Sequence, residues 1–511
     1  MKKIIIIVIS VLLLSQSGIF GWGKKEVPVE PETYRFSFIT DWDLAQGAIP
    51  PSEAPKDPHF QHVENIIGIV PLTQPYDWLG GFGYEKSVRM QLSGGDIPEA
   101  MRLFSMEFTQ DLIESGVLIP LDDLLPVHAP HIWNLFTEKQ WELVKSFSPD
   151  RKIYFVPMID TTPRVGMIRI DWLREVGINK VPATMEELLE AYRAFKNKDA
   201  NGNGDPHDEI PVSGREYIRW CDDLFIMFGC SMHEGWPEWR WDQNKKIMIS
   251  DQVSDEMKNA VIFIRQLVEE GLMDPVMPIQ TASDWFAKLG DDKIGHYFHT
   301  ISGIPRRLTM RTNGDNPDAE WVYMPNVKVK GVPHQPNYAL GIGIRMGITN
   351  KARFPEKILK WLDWGLSEEG KFYFNFGIEG LNYVIENGKV IYPDSVSPIS
   401  NKHRYLLNII GSSREVYESM PFGAILTAVY DASINDVRYL DTMMMPGSVY
   451  EGYEDYTPSK ASLYRERVTK MILGELPMSA WDDYVEEWYA KGGKEVQKRV
   501  TGWYKKTYNI K

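Results

Sequence analysis

Cysteine is nearly absent: 511 residues hold only Cys221 and Cys230. That excludes a disulfide-built scaffold and any CxxC redox or zinc site. On one continuous helix the two sulfurs would lie ~13 Å apart, beyond disulfide reach. Gly229 between them leaves a helix break, and so a pairing, open; two buried thiols are the expectation. Long apolar runs are also lacking. The N-terminal run Ile4–Leu14 is 11 residues, whereas a membrane span needs ~20. Positive charge is in deficit, with a formal net charge of −14, which argues against a nucleic-acid partner.

Catalytic signatures are missing as well. No GxxxxGK[ST] loop, GxSxG elbow, HExxH pair or GxGxxG after a strand occurs. Gly341-Ile-Gly343-Ile-Arg-Met-Gly347 has its third glycine one place too late and reads as a packed strand. His59 and His62 lack a third ligand and read as a surface pair. The doublets Asp41/Asp43, Asp222/Asp223 and Asp291/Asp292 have the residue type of a glycosidase acid and base, but in an acidic chain they read as solvated pairs.

What is present begins with export. Lys2 and Lys3 precede the apolar run, and Ser15–Gly18 follow it, the order of a signal peptide. We assign residues 1–21 to it, with cleavage after Ser17 or Gly21, and 22–33 to a linker. No lipid-anchor cysteine follows, so a soluble protein of the periplasm or the extracellular space is expected. Aromatics reach 12%, with 17 Trp and 24 Tyr, enough for large cores or for a cleft that stacks sugar rings. The length calls for two or three domains or lobes.

Strand patterns alternate with helix patterns, which predicts an α/β fold. Tyr34–Ile39, Tyr154–Pro157, Val165–Ile170, Lys293–His299 and Tyr338–Ile348 read as strands. Thr184–Glu187 reads as a capping box opening a helix over 185–198, and Ser254 caps one over 254–270 closed by Gly271. Pro355 starts a helix over 356–369 closed by Gly370. The C-terminal stretch 459–508 reads as two or three helices broken at Gly474–Pro477 and Gly492-Gly493.

The segment Asp199-Ala-Asn201-Gly-Asn203-Gly-Asp205-Pro-His207-Asp208-Glu209 is the densest cluster of oxygen ligands in the chain. Asp199, Asn201, Asn203 and Gly204 match positions 1, 3, 5 and 6 of an EF-hand loop. The ending departs, with Glu209 at position 11 and no apolar helix after it. A static Ca²⁺ brace at a helix end is the reading.

These segments together resemble the extracellular solute-binding proteins of ABC importers, in the large carbohydrate-binding branch with the alginate-binding and lipoprotein-type members. Ser93–Met101 resembles a GDxPD strand entry and Tyr154–Pro157 a YGLP crossover. Ile168–Thr184 resembles RxDWLxxxGxxxPxT, Lys198–Pro211 resembles KDxDGNGxxDEIP, and Glu270–Pro275 resembles EGLIDPE. The resemblance implies a periplasmic-binding-protein-like α/β fold: two lobes around a ligand cleft, hinge crossovers and a helical C-terminus. Lobe one would be 34–163 with 301–378, lobe two 164–300 with 379–511. Crossovers are expected near Pro157–Arg164, Phe298–Ser302 and Phe376–Gly380. Structural Ca²⁺ would sit on Asp199, Asn201, Asn203, Asp208, Glu209 and the Asp205 carbonyl. Ligands in such lobes meet strand ends and crossovers, which selects Asp41, Trp42, Asp43, Phe104, Ser105, Asp160, Thr161, Arg164, Tyr297, His299, Asn382 and Tyr383. Trp236, Trp239 and Trp285 are the stacking platforms.

The expected function is capture of an oligosaccharide and delivery to ABC permease subunits in the inner membrane, by a monomer that performs no chemistry. The alternatives are a sensor subunit presenting ligand to a membrane receptor, and a secreted carbohydrate-active enzyme. Arg164, Arg306 or Arg307 would meet a uronate; a neutral glycan avoids the long-range repulsion of an acidic chain.

Overall fold

The structure is a computed structural model. It describes residues 33–40, 52–76, 82–160, 162–301, 319–339, 341–391, 393, 395, 396, 399, 414–418, 423–440, 442 and 444–510. The expected signal peptide and nearly all of the expected linker, with Asp41, Trp42, Asp43, Thr161, Arg306 and Arg307, lie outside them.

The first sheet starts with β1 (Tyr34–Thr40), β2 (Ile69–Pro75), β3 (Ala100–Arg102) and β4 (Val156–Asp160). In β1, Tyr34, Phe36 and Phe38 are buried while Arg35 and Ser37 are exposed, the period-two alternation of a strand with one face on a core. The chain then leaves for β5 (Arg164–Arg169), β6 (Ile210–Val212), β7 (Met232–His233), β8 (Trp236–Pro237), β9 (Trp239–Asp242), β10 (Ile247–Ser250), β11 (Ile294–Thr300), β12 (Trp321–Met324) and β13 (Asn337–Ala339). It returns with β14 (Gly341–Ile348), forms the hairpin β15 (Val384–Glu386) and β16 (Lys389–Ile391), and adds β17 (Val437–Tyr439).

One sheet has the order β2-β1-β3-β14-β4, the other β17-β13-β5-β11-β6 with β12 also on β5. Each carries its own core. Phe36, Phe38, Met101, Trp361 and Ile348 belong to one; Ile168, Trp172, Phe195, Trp239 and Trp488 belong to the other. A smaller cluster around Trp285, Tyr297 and Trp321 fills the opposite face of β5 and β11. The two-lobed α/β architecture is therefore present.

The crossovers differ in part from the expectation. The first falls between β4 and β5, as expected. The second does not lie at Phe298–Ser302: β12, like β11, pairs antiparallel with β5, so the strands before and after that stretch belong to the same sheet. The chain leaves it between Ala339 and Gly341, which divides the predicted strand Tyr338–Ile348 between two sheets. Strands β12 and β13, within the stretch expected in lobe one, thus pair in lobe two. Ile399 still belongs to the first core, while Tyr417 joins the Trp285 cluster, so the third passage lies beyond 376–380.

The predicted helix over 356–369 is two helices, Pro355–Trp364 and Glu368–Phe376, because the Ser367 hydroxyl caps the second by accepting from Gly370 N at 3.1 Å. Gly370 lies inside the second helix, where a Cβ would overlap the Trp364 carbonyl oxygen. The capping box at Thr184 is half formed: Thr184 accepts from Glu187 N, but the Glu187 carboxylate turns to Ala183 N. The C-terminal helices Ser462–Ile472, Trp481–Trp488 and Lys494–Thr507 break where the sequence placed the breaks. Among the described residues no helix is long and apolar enough to cross a membrane. Cys221 and Cys230 are both free and buried.

Candidate functional site

The two crossovers run side by side. Gly341 pairs with Asp160 on the edge strand β4 of the first sheet, and Tyr338 pairs with Arg164 between the interior strands β13 and β5 of the second. Gly341 has φ +78°, the left-handed region where glycine is free of Cβ strain. Strand β11 also ends here, with His299 beside Val165 and Thr300 beside Arg164. The hinge-side wall of lobe two is thus built from the start of β5, the end of β11 and the loops that follow β6 and β7.

Charged side chains of alternating sign fill that wall. Arg164 donates to Glu234 Oε1, and Arg219 donates to Glu234 Oε2 at 2.8 Å. Arg219 also reaches Glu216 at 3.3 Å, and Arg215 binds Glu216 through two N–H donors at 2.8 and 2.6 Å. Burial pushes the Glu234 carboxyl up, but Arg164 and Arg219 outweigh it and hold it well below the usual range. Behind this chain the Tyr338 hydroxyl donates to Asp222 at 2.7 Å. Burial, with Glu234 nearby, pushes Asp222 up to about 6. Burial and Arg164 push neighbouring His233 down to about 3, so it is neutral at physiological pH.

Two glycines make this packing feasible. A Cβ on Gly214 would overlap the Arg219 carbonyl oxygen, and one on Gly235 (φ +78°) would lie 2.7 Å from Arg219 Cγ. The Trp220 ring lies 5.1 Å from both the Arg215 guanidinium and the His299 ring. Arg215, Glu216, Arg219, Trp220 and Glu234 were not selected from the sequence. The only signal for them was Gly214 and Gly235, since no pattern announces an ion chain folded across two loops.

The selected residues divide. Arg164 and His299 stand in the hinge wall. Asp160 ends β4 at the first crossover. Trp236 is beside the wall, but Arg465 lies 3.8 Å over its ring and only 8% of the residue is exposed. Trp239, Trp285 and Tyr297 are not cleft residues. Trp239 packs near Trp488 in the lobe-two core, and Trp285 and Tyr297 meet edge-on at 5.4 Å in the smaller cluster. Asn382 is buried and accepts from Ile378 N, forming a turn; Tyr383 packs against Phe372 and Phe376. Ser105 caps the helix Met106–Glu114 and donates to Glu85, while Phe104 packs edge-on against Tyr84.

The carboxylate doublets are structural where described. Asp222 holds Tyr338, Asp223 faces His296 at 3.0 Å, and Asp292 holds Arg169. His59 is buried and bonded to Tyr373 at 3.0 Å, so His59 and His62 are not a surface pair.

The 199–209 loop lies elsewhere, beyond the helix Met185–Asn197. Asn201 Oδ1 and Asn203 Oδ1 accept from the backbone two residues on, and Gly204 N donates to Asp199 Oδ2 at 2.8 Å. Asn201 Nδ2 ties the loop to the Asp292 carbonyl at 3.2 Å. Asp199 Oδ1 and Glu209 Oε2 are buried with no hydrogen-bond partner, and burial, with Asp208 nearby, raises the Glu209 pKa. Two orphaned carboxylate oxygens fit a cation. Among the described residues no three His, Cys, Asp or Glu side chains converge as a metal cluster, so amide and backbone oxygens would have to complete the shell.

The family model for bacterial extracellular solute-binding proteins matches residues 73–218. The fructooligosaccharide ABC transporter substrate-binding protein FusA of Streptococcus pneumoniae is 30% identical over 275 residues, 48% of this chain and 47% of FusA, so the match spans about half of either. Lipoprotein LipO of Bacillus subtilis is 22% identical over 487 residues, 89% of this chain and 90% of LipO. The structure of FusA in complex with kestose superposes with a TM-score of 0.68 at 19% identity, covering 94% of this chain and all of that one. Alginate-binding protein AlgQ2, solved without calcium ion, gives 0.68 at 18% with the same coverage. The chain has the fold of the extracellular solute-binding proteins. The resemblance read from the ordered motifs is borne out.

Proposed function

We propose that this protein is an exported substrate-binding protein that captures an oligosaccharide between its lobes and delivers it to an ABC permease. The observation that carries the reading is the pair of adjacent crossovers, within a fold shared end to end with a kestose-bound relative. Two strands side by side bend together, which suits hinge closure on a ligand. The protein binds and performs no chemistry; the buried carboxylate doublets hold structure instead of facing each other across a cleft. Calorimetry against a glycan panel tests the reading. Micromolar or tighter binding without turnover is expected, and hydrolysis of a bound glycan would refute it.

We also propose that the 199–209 loop binds Ca²⁺ as a structural brace. Its support is the orphaned Asp199 and Glu209 oxygens; solved relatives include a FusA EF-hand mutant. A ligand held only by the folded state stabilises it by mass action. Chelation is expected to lower the melting temperature by several degrees and to change glycan affinity less than threefold. Asn203→Ala should melt at the chelated temperature with Ca²⁺ present. Melting indifferent to chelation would leave the loop as a turn.

A further inference from the structure

Backbone strain marks one patch of lobe two. Ten non-glycine residues among those described have positive φ, and four of them gather here: Tyr217 (63°), Ile218 (60°), Trp220 (68°) and Glu234 (53°). Such conformations are costly for bulky residues and persist only where the surroundings over-determine them, commonly at binding sites. The surroundings here are the ion chain of the hinge wall and a clip: the Arg465 guanidinium lies 4.5 Å from the Tyr217 ring and 3.8 Å from that of Trp236. The strain is spent on presentation. Tyr217 is 46% exposed. The Glu216 and Glu234 side chains keep 24% and 16% of their surface open, while Arg215 and Arg219 behind them are at 10% and 9%.

We propose that Tyr217, Glu216 and Glu234 form a subsite of the ligand cleft that recognises adjacent hydroxyls of a sugar ring. This rests on the reading of the protein as a glycan-binding protein. One guanidinium, that of Arg219, holds both carboxylates, so their outer lone pairs are fixed about one guanidinium apart. A hydroxyl is the ligand group that suits them: it donates to a carboxylate oxygen without displacing the arginine behind it. A ligand cation would face three arginines. A ligand carboxylate would have to separate Glu234 from its arginines and leave a largely buried charge uncompensated. Tyr217 supplies the flat apolar face that covers the C–H side of the ring. Trp220 is a positioning residue, holding Arg215 and His299 from behind.

The test is calorimetry of the full chain against maltotriose, xylotriose, 1-kestose and trigalacturonate, with melting curves in parallel. Glu216→Gln removes a charged acceptor at the open edge, and Tyr217→Asn removes the ring while keeping a residue that tolerates positive φ. Each is expected to weaken the best neutral ligand by about tenfold to a hundredfold, the weight of a hydrogen bond to a charged group or of an aromatic contact; melting should be little changed in Tyr217→Asn and lowered in Glu216→Gln, which takes the charged partner from Arg215. Trigalacturonate should bind less tightly than the best neutral trisaccharide. Affinity within twofold of the parent in both variants would overturn the subsite and leave the function standing, as would lost melting temperature without lost affinity. A preference for trigalacturonate would also overturn it. Failure of the parent protein to bind any saccharide would instead remove the function, and the subsite with it.

Discussion

Glu238 is a carboxyl in a place that disfavours its charge. It is 7% exposed, its carboxylate accepts from the Thr442 hydroxyl at 3.2 Å, and burial pushes it up to about 7. Asp222 is shifted the same way, to about 6. A folded-state pKa raised above the unfolded value means that the folded protein holds the proton longer. Stability is then greatest below the unfolded carboxyl range and falls as pH rises towards 7, by on the order of 3 kcal/mol for a shift of this size. Glu238→Gln should therefore melt a few degrees above the parent at pH 8, with the two curves converging by about pH 4.5; scanning calorimetry across that range decides. At this same scale the sequence was hardest to read. Tyr297 was chosen at a crossover and Trp285 as a stacking platform, yet β11 is covered on both faces, with Phe298 in one core and Tyr297 in another that also takes Trp285. A strand buried on both sides has no alternation to say which ring faces a cleft. Trp285→Ala should cost about 3–5 kcal/mol of stability and leave the affinity of the folded fraction unchanged. Recovery of folded protein with a lost ligand would return Trp285 to the cleft.

Elements were more legible than the side chains on them. The first strand, the helix after Ser254 and the three C-terminal helices stand where periodicity and caps placed them, because caps and breaks are local chemistry. Where the reading failed, the deciding contact was distant. Residues 338–348 read as one glycine-rich apolar run interrupted only by Arg345, and only the partner strands show that β13 pairs with β5 while β14 pairs with β3 and β4. The helix over 356–369 failed differently. Gly370 looks like a stop, but it is a point of close approach between two helices. Gly370→Ala would press a methyl into the Trp364 carbonyl and should cost about 1–3 kcal/mol as an overpacked contact. Melting within a degree of the parent would show that the junction yields freely. The 199–209 loop was the most conspicuous segment of all, since oxygen side chains at alternate positions are visible without a fold.

At the scale of the molecule, closure about the paired crossovers has to work against, or with, what else joins the lobes. Two contacts stand out. Gln110, in the helix Met106–Glu114 of the first lobe, accepts from Ser448 N at 3.3 Å. Lys460 reaches Glu107 on the same helix at 3.4 Å. Val449, Tyr450 and Ala461 beside these partners pack with the second core, so the contacts bridge the lobes. Glu107 and Lys460 are each about half exposed, which limits the pair to about 0.2–1 kcal/mol. That is small for folding, but if the lobes close on ligand it is enough to shift the balance between open and closed forms by up to about fivefold. Reversing one member, Lys460→Glu, sets two carboxylates against each other where the lobes meet. The glycan dissociation constant should shift by about twofold to fivefold, and small-angle scattering of the ligand-free protein should show a changed mean lobe separation. Adding Glu107→Lys restores opposite charges and should restore both readings, which a local packing defect would not. The shift should shrink in 0.5 M salt, because an exposed pair is screened at that ionic strength. Unchanged affinity in the single variant, with the fold intact, would mean that these contacts move with one lobe as a rigid unit and take no part in closure.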